Sequence, residues 1–472
     1  MISCRKRFAG FVGLGVFAGL LLFCALPVQA GAAQAETVHA ATLAYRDFTL
    51  DNGLRVVLLQ EKRAPVVVVQ VWYRVGSADE VAGQTGLAHM LEHMMFQGTR
   101  TLAPEEFSSI IARHGGVDNA STSQDYTNYY IKLGSEHLDL ALRMEADRMR
   151  NLVLKEEKFI SENKVVQEER RMRTDAVPAA RMVEKYRAMA YQVHPYGRPI
   201  IGWMADIRKH SVAAMQAFYQ KYYAPDNATL VVGGDLEFAA AEERIRHHFA
   251  SLPGTGQRSR SPLTQEPTPS AQKQLYVLDP EARIPVWMVG FLTPTFADIQ
   301  AESDAFALEV AGTILGGGLS SRLYRRLVTE EKLAVSVSAD YASLSRDPVL
   351  FMIQVTPRKD ASLIRLEEIV RTEVERLGQE PVPERELAKT RNSIIAEHVY
   401  DQDSIHSLTW NIGRAITSGV DWKKMLIDYP DRIRTVTAEA VQKAVVRYLK
   451  PDRWIVGVLL PLPTPTPRKV QE

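Results

Sequence analysis

Two stretches of this 472-residue chain are built alike and lie 226 positions apart. Ser211 to Asp226 ends in QAFYQKYYAPD, and Thr437 to Asp452 ends in QKAVVRYLKPD. Gln216 matches Gln442, Lys221 matches Arg447, Tyr222 matches Tyr448, and Pro225-Asp226 matches Pro451-Asp452. Each stretch opens on a hydroxyl residue suited to cap a helix and runs to a proline that stops it. Each then enters a β-rich run, 228–232 in one and 454–459 in the other. A helix–turn–strand unit repeated at one fixed spacing points to internal duplication, so the chain is expected to fold as two related halves. Between them lies PGTGQRSRSPLTQEPTPSAQ, residues 253–272, a linker rich in Pro, Ser, Gly and Thr.

The expected domains are therefore 40–252 and 273–460, followed by a disordered proline-rich tail, 461–472. In the first, the patterns predict strands at 54–60, 66–75 and 126–133, and helices at 87–96, 103–114, 135–151 and 156–174. In the second they predict strands at 274–278 and 286–292 and near 334 and 350, with helices from 303 and 320. Strands mixed with long helices, without regular βαβ alternation, predict an α+β fold.

The first thirty residues look like an export segment. Arg5, Lys6 and Arg7 precede an apolar run from Phe8 to Leu26, broken by Pro27, with small-residue cleavage sites ending at Ala30 or Ala35. The expectation is a periplasmic or secreted protein, with an uncleaved membrane anchor as the alternative. Cys4 and Cys24, the only cysteines, lie in that segment. The mature chain then has neither disulfides nor thiolate ligands, and any metal site must use histidine and carboxylate. Removing the three leading cations takes the formal charge from +1 (57 basic against 56 acidic residues) to −2. That balance gives no reason to expect nucleic acid as a partner.

His89-Met90-Leu91-Glu92-His93 carries chemistry. Two histidines four residues apart lie one above the other on a helix, so both imidazoles can reach one ion. Glu92 lies close enough to take a proton from a water on that ion. A hydrolytic zinc site needs a third protein ligand. The helix at 156–174 offers Glu162, Glu168 and Glu169. Glu162 and Glu169, two turns apart, share a face with the apolar Val165 and Val166 close by, whereas Glu168 points elsewhere. All three read equally well as solvated charges beside Arg170 and Arg171.

HMLEHMMFQGT, His89 to Thr99, resembles the signature of the inverzincin peptidases, the family of pitrilysin, insulin-degrading enzyme and the mitochondrial processing peptidase. The resemblance implies two tandem homologous domains, each a mainly antiparallel sheet packed with helices, together forming half of a clamshell. It implies one Zn²⁺ per chain, held by His89, His93 and Glu169, with Glu92 as base and Glu162 orienting a ligand; Glu168 is the fallback. Asn119-Ala120-Ser121-Thr122 resembles the family's edge strand, on which an extended peptide adds beside the metal; Asn119 and Ala120 are thus expected to bind substrate. His194-Pro195-Tyr196-Gly197 and Gly202-Trp203 match a family loop that also reads as a plain structural turn. GGGLSSRLYRRL, Gly316 to Leu327, resembles the C-terminal, inactive copy, and the spacing of 226 places Leu315 opposite His89.

The family's active members carry an arginine and, seven residues later, a tyrosine in that copy. Here both positions, Val328 and Val335, are valine, with Arg325 and Arg326 as the nearest substitutes. The resemblance therefore implies work alongside a metal-free homologous chain that supplies the pair, a homodimer being the alternative. The expected function is a zinc-dependent endopeptidase acting on unfolded or exposed peptide. The rivals are a catalytically weak peptide-binding or assembly subunit of the same fold, and a purely structural zinc site.

Overall fold

The computed structural model describes residues 43–256 and 260–462. The expected export segment with both cysteines, and the tail from 463, lie outside the described residues. Among the described residues no helix is long and apolar enough to cross a membrane.

Two twisted sheets organise the chain. The first has strand order β1-β2-β6-β3-β5-β4, where β1 is Ala44–Thr49, β2 Arg55–Gln60, β3 Val66–Tyr73, β4 Val117–Thr122, β5 Thr127–Gly134 and β6 Ala228–Gly234. The second has order β7-β11-β8-β10-β9, where β7 is Lys273–Asp279, β8 Val286–Thr293, β9 Ala334–Tyr341, β10 Val349–Pro357 and β11 Ile455–Pro461. Only β2 with β6 and β7 with β11 run parallel; every other neighbour is antiparallel. Leaving out β1, the two orders are the same, as duplication requires. The mixed α/β architecture with two helix-packed sheets is the one expected. β1, a polar strand of exposed and half-buried residues, carries no pattern that predicted it.

The repeat spacing is not constant, which corrects one expectation. Thr229 pairs with Arg55, and Ile455 pairs with Lys273. Thr229 and Ile455 are 226 apart, but Arg55 and Lys273 only 218. The first half thus has eight fewer residues between its repeat-matched strands, and 226 holds only near the end of each half. On the strand spacing His89, Glu92 and His93 fall opposite Ala307, Val310 and Ala311, not Leu315, all three buried and without a ligand atom. The helix expected from Ser320 is instead a π-helical stretch, Tyr324–Glu330.

The repeated caps form as expected. The Ser211 hydroxyl accepts from the Ala214 N–H at 3.2 Å, and the Thr437 hydroxyl from the Ala440 N–H at 3.1 Å. In each half, helices cover one face of the sheet. Around the first sheet these include α1 (Leu87–Met94), α2 (Glu106–Arg113), α3 (Leu138–Asn151) and α4 (Glu156–Arg170). The opposite faces are covered by exchange. α5 (Pro178–Ala190), from the first half, packs on β7 and β11, and the Tyr186 hydroxyl donates to the Ile455 carbonyl at 2.7 Å. The helix Ile405–Thr417, from the second half, packs on β3 and β6, where buried Gln70 donates to Thr409 at 2.9 Å. Trp72, Val57 and Val231 of the first sheet accordingly belong to the same apolar core as Trp287, Phe351 and Trp454 of the second.

Candidate metal centre

Both histidines and Glu92 sit on α1, whose buried side, Met90, Leu91 and Met94, is locked in the first core. The start of α1 is set from outside the helix. Glu80 accepts the N–H groups of Gly86 and Ala88 at 2.8 Å each. Those are donors that a first helical turn cannot satisfy internally, and a carboxylate suits that end of the helix dipole. Burial nevertheless pushes the Glu80 carboxyl up to about 8, against both hydrogen bonds. Gly202 packs its backbone directly on Thr85 and Gly86, at φ 88, leaving no room for a side chain. The Trp203 N–H donates to Thr85 Oγ1 at 2.9 Å, and the Thr85 hydroxyl donates to Asp206 at 2.6 Å. Gly202-Trp203 is thus a structural turn that braces α1.

α4 runs beside α1 and brings up its carboxylates. Glu169 Oε2 lies 3.3 Å from His93 Nε2 and 3.8 Å from His89 Nε2. Glu162 Oε2 lies 3.3 Å from His93 Nδ1, and Gln97 Nε2 donates to Glu162 Oε1 at 3.1 Å. Glu168 turns outward, 58% exposed, and pairs with Arg171 at 2.8 Å. Of the two valines on the carboxylate face, Val166 is buried and Val165 exposed. Directly after Glu169 and Arg170 the helix widens into a π turn, Arg171–Asp175, from which Arg173 reaches back to pair with Glu169. Such widened turns often lie at functional sites.

One ligand atom from each of His89, His93 and Glu169 lies within 4.8 Å of the others. Tetrahedral zinc with bonds near 2.0–2.1 Å separates its ligand atoms by about 3.4 Å. The two contacts at 3.3 and 3.8 Å bracket that value, so the donor set fits a divalent ion with small adjustments. Two neutral nitrogens and a carboxylate also match zinc in chemistry.

The electrostatics are those of titratable groups crowded together. Burial, with the neighbouring His93 charge, pushes His89 down to about 4, which leaves its imidazole neutral. Burial also works against charge on His93, but the bonds to Glu162 and Glu169 outweigh it and hold His93 at about 9. Burial works to raise Glu169, yet His93's hydrogen bond and the positive charges around it keep the carboxyl below its ordinary value. Glu92 is raised, chiefly by burial, against a hydrogen bond of 2.5 Å donated by the Thr122 hydroxyl.

Thr122 ends β4, which among the described residues is one of the two edge strands of the first sheet. Asn119 and Ala120 lie on the same strand, opposite Tyr130 and Tyr129. Among the described residues no strand pairs with the other side of β4, so an open sheet edge runs past Glu92. His194 to Gly197 lies elsewhere. The Tyr196 hydroxyl donates to Asp125 at 2.6 Å, and Asp125 also accepts the Arg346 N–H at 3.1 Å, so this loop joins the two halves. Val328 packs on the second core and Val335 is exposed. Arg326 is engaged by Glu330 and Glu331. Sequence patterns did not reveal Glu80, whose contacts with α1 form only in three dimensions. Thr122 stood in the quoted edge-strand motif, but nothing there linked it to Glu92.

Residues 55–203 match the family described as insulinase, peptidase family M16, and residues 209–394 match the M16 inactive domain. The chain is 34% identical to the zinc protease PqqE of Helicobacter pylori, across 76% of this chain and 80% of that one. It is 30% identical to an uncharacterized zinc protease of Mycobacterium bovis, across 89% and 94%. A crystal structure of a protease from Helicobacter pylori superposes with a TM-score of 0.83 at 30% identity, covering 89% of this chain and all of that one. The first half of the periplasmic protease PqqL of Escherichia coli shares the fold, with a TM-score of 0.74 at 18% identity over 88% and 92%. The chain therefore belongs to peptidase family M16, the insulinase family, and is a metallopeptidase.

Proposed function

We propose that this chain is a zinc-dependent endopeptidase in which His89, His93 and Glu169 hold one Zn²⁺ and Glu92 is the base. The observation that carries this reading is the convergence of those three ligand atoms beside Glu92 on one face of α1. Three protein ligands with an adjacent carboxylate suit catalysis better than a closed structural site. When bound, zinc supplies Lewis acidity toward the scissile carbonyl and makes a water more acidic. Glu92 takes that water's proton as the new C–O bond forms, then delivers it to the amide nitrogen as the C–N bond breaks. The Thr122 hydroxyl fixes the Glu92 carboxylate for both transfers. Glu162 orients His93, and an extended peptide lies along β4 at Asn119 and Ala120. Mn²⁺ or Co²⁺ are workable replacements in a His₂Glu site.

The leading segment and the description of PqqL as periplasmic support work in the periplasm, on unfolded or exposed segments. Val328 and Val335, with Arg326 tied to glutamates, favour a complex with a metal-free homologous chain over a homodimer. The same valines are the observation behind the second reading, a weakly catalytic binding subunit. Glu92→Gln in the purified mature chain should keep its zinc and lose peptide hydrolysis by about 10²–10⁴-fold. Retained hydrolysis would overturn the base. Turnover by the isolated chain that no homologous partner increases would sink the complex.

A further inference from the structure

A cleft of about 700 Å³ opens at the end of the second sheet where β9 begins and β10 ends. Arg283, Lys332, Arg358 and Lys359 line it, with Asp360 as the only acid. Among the described residues, none of the four cations forms an ion pair. Nearby cations behave differently: Arg326 and Arg365 both pair with Glu331. Unpaired like charges gathered in one concave place repel each other and raise the local potential, so they favour an anionic occupant. The chain as a whole is close to neutral, so the feature is local.

The backbone holds Arg358 in place. The Arg358 N–H donates to the Leu333 carbonyl at 2.8 Å, and its Nε donates to the Ala334 carbonyl at 3.3 Å. Lys332 adopts φ 55, a left-handed conformation that non-glycine residues seldom take. The lining is also apolar: Ile284 is 62% exposed and Val335 59% exposed. Exposed aliphatic side chains beside unpaired cations suit a ligand with both carboxylates and apolar groups. β9 is the outermost strand of its sheet among the described residues, and Val335 and Ser336 are exposed in succession rather than alternately. The start of β9 is thus open toward the cleft, and an extended backbone can lie beside it.

We propose that this cleft docks an acidic, extended polypeptide segment, its carboxylates meeting the four cations and its apolar side chains resting on Ile284 and Val335. The site is separate from the metal centre and does not rest on the endopeptidase reading.

The test uses the mature chain carrying Glu92→Gln, so that bound peptide is not cut. Fluorescence anisotropy follows a labelled peptide of about ten residues that alternates Asp or Glu with Val or Leu. Its control has Asn and Gln at the acidic positions. The acidic peptide should bind at least about tenfold more tightly, and binding should weaken as salt screens the contact. The triple variant Arg283→Glu, Lys332→Glu, Lys359→Glu should lose that preference while unfolding at an unchanged temperature; all three side chains are exposed. Single Lys332→Gln and Lys359→Gln variants, which add no negative charge, should each give a smaller loss. Equal binding of the two peptides, or undiminished preference in a folded triple variant, would overturn the proposal. So would binding to phosphatidylglycerol vesicles without any preference among peptides, which would make the cleft a membrane contact. Hydrolysis of an uncharged peptide by the unmutated chain tests the metal centre separately.

Discussion

Trp72 and Gly413 fit together as a knob and a hole: a Cβ at position 413 would lie only 2.1 Å from the nearest indole atom. Trp72 is on β3, and Gly413 is on the helix Ile405–Thr417 that comes from the other half. At the matching place in the second sheet the sizes are exchanged. There Gly290 on β8 faces the Tyr186 hydroxyl of α5, so strand carries the hole and helix the knob. Duplication preserved the exchange of helices, and each pairing settled its own division of volume. Gly413→Val should destabilise the chain by about 1–3 kcal/mol, the range for overpacking a dense core. Urea unfolding measures the loss. Adding Trp72→Leu should recover part of it, because the two sites share one volume.

Glu162 is expected to act through His93. With zinc on Nε2, as proposed, His93 keeps its single proton on Nδ1, 3.3 Å from Glu162. Glu162→Gln should weaken zinc binding by about 10–100-fold, the usual effect of losing a partner that orients a ligand. Competition against a chelator reads this directly. Glu168→Gln, on the solvent side of the same helix, should leave affinity unchanged; an effect equal to that of Glu162 would refute the assignment.

Thr122 offers a narrower test. Its hydroxyl is the side-chain partner of Glu92, and valine keeps its shape without that donor. A hydrogen bond to a charged group contributes about 1.5–3 kcal/mol, so Thr122→Val should lower kcat by about 10–100-fold. KM should stay within about twofold and zinc content should not change. A shift in KM alone would show that Thr122 positions substrate rather than the base.

The parts legible in the sequence were those whose cause is local. The helical period of 3.6 puts His89 and His93 on one face, and Ser211 and Thr437 cap their helices from their own side chains. Glu169 was half legible: its spacing from Glu162 was visible, but the choice over Glu168 depended on resemblance. Rotation about α4 separates the two, sending Glu168 to Arg171 and Glu169 to the histidines. Features that exist only through tertiary contact left no pattern. Glu80 reaches the N–H groups of α1 across a loop. α5 and the helix Ile405–Thr417 bury themselves on the opposite half, which no periodicity reports. The fixed spacing of 226 misled because one matching segment cannot reveal a length change elsewhere.

The second half contains a half-buried acid that takes no part in the proposed metal site. Glu309, on the helix Glu302–Gly316, has one carboxylate oxygen buried without a hydrogen-bond partner among the described residues. Burial pushes its carboxyl up to about 7, against a hydrogen bond from Tyr429 and with help from the charge of Glu397. Between the ordinary value of 4.5 and about 7, the folded chain keeps a proton that the unfolded chain has released. Stability from this group must therefore fall as pH rises through that window, by at most about 3 kcal/mol. Glu309→Gln removes the titration, so it should flatten the pH dependence and leave the variant more stable than the parent at about pH 8. Urea unfolding at about pH 5 and pH 8 measures both. An unchanged slope would show that Glu309 ionises as freely in the folded chain as in the unfolded one.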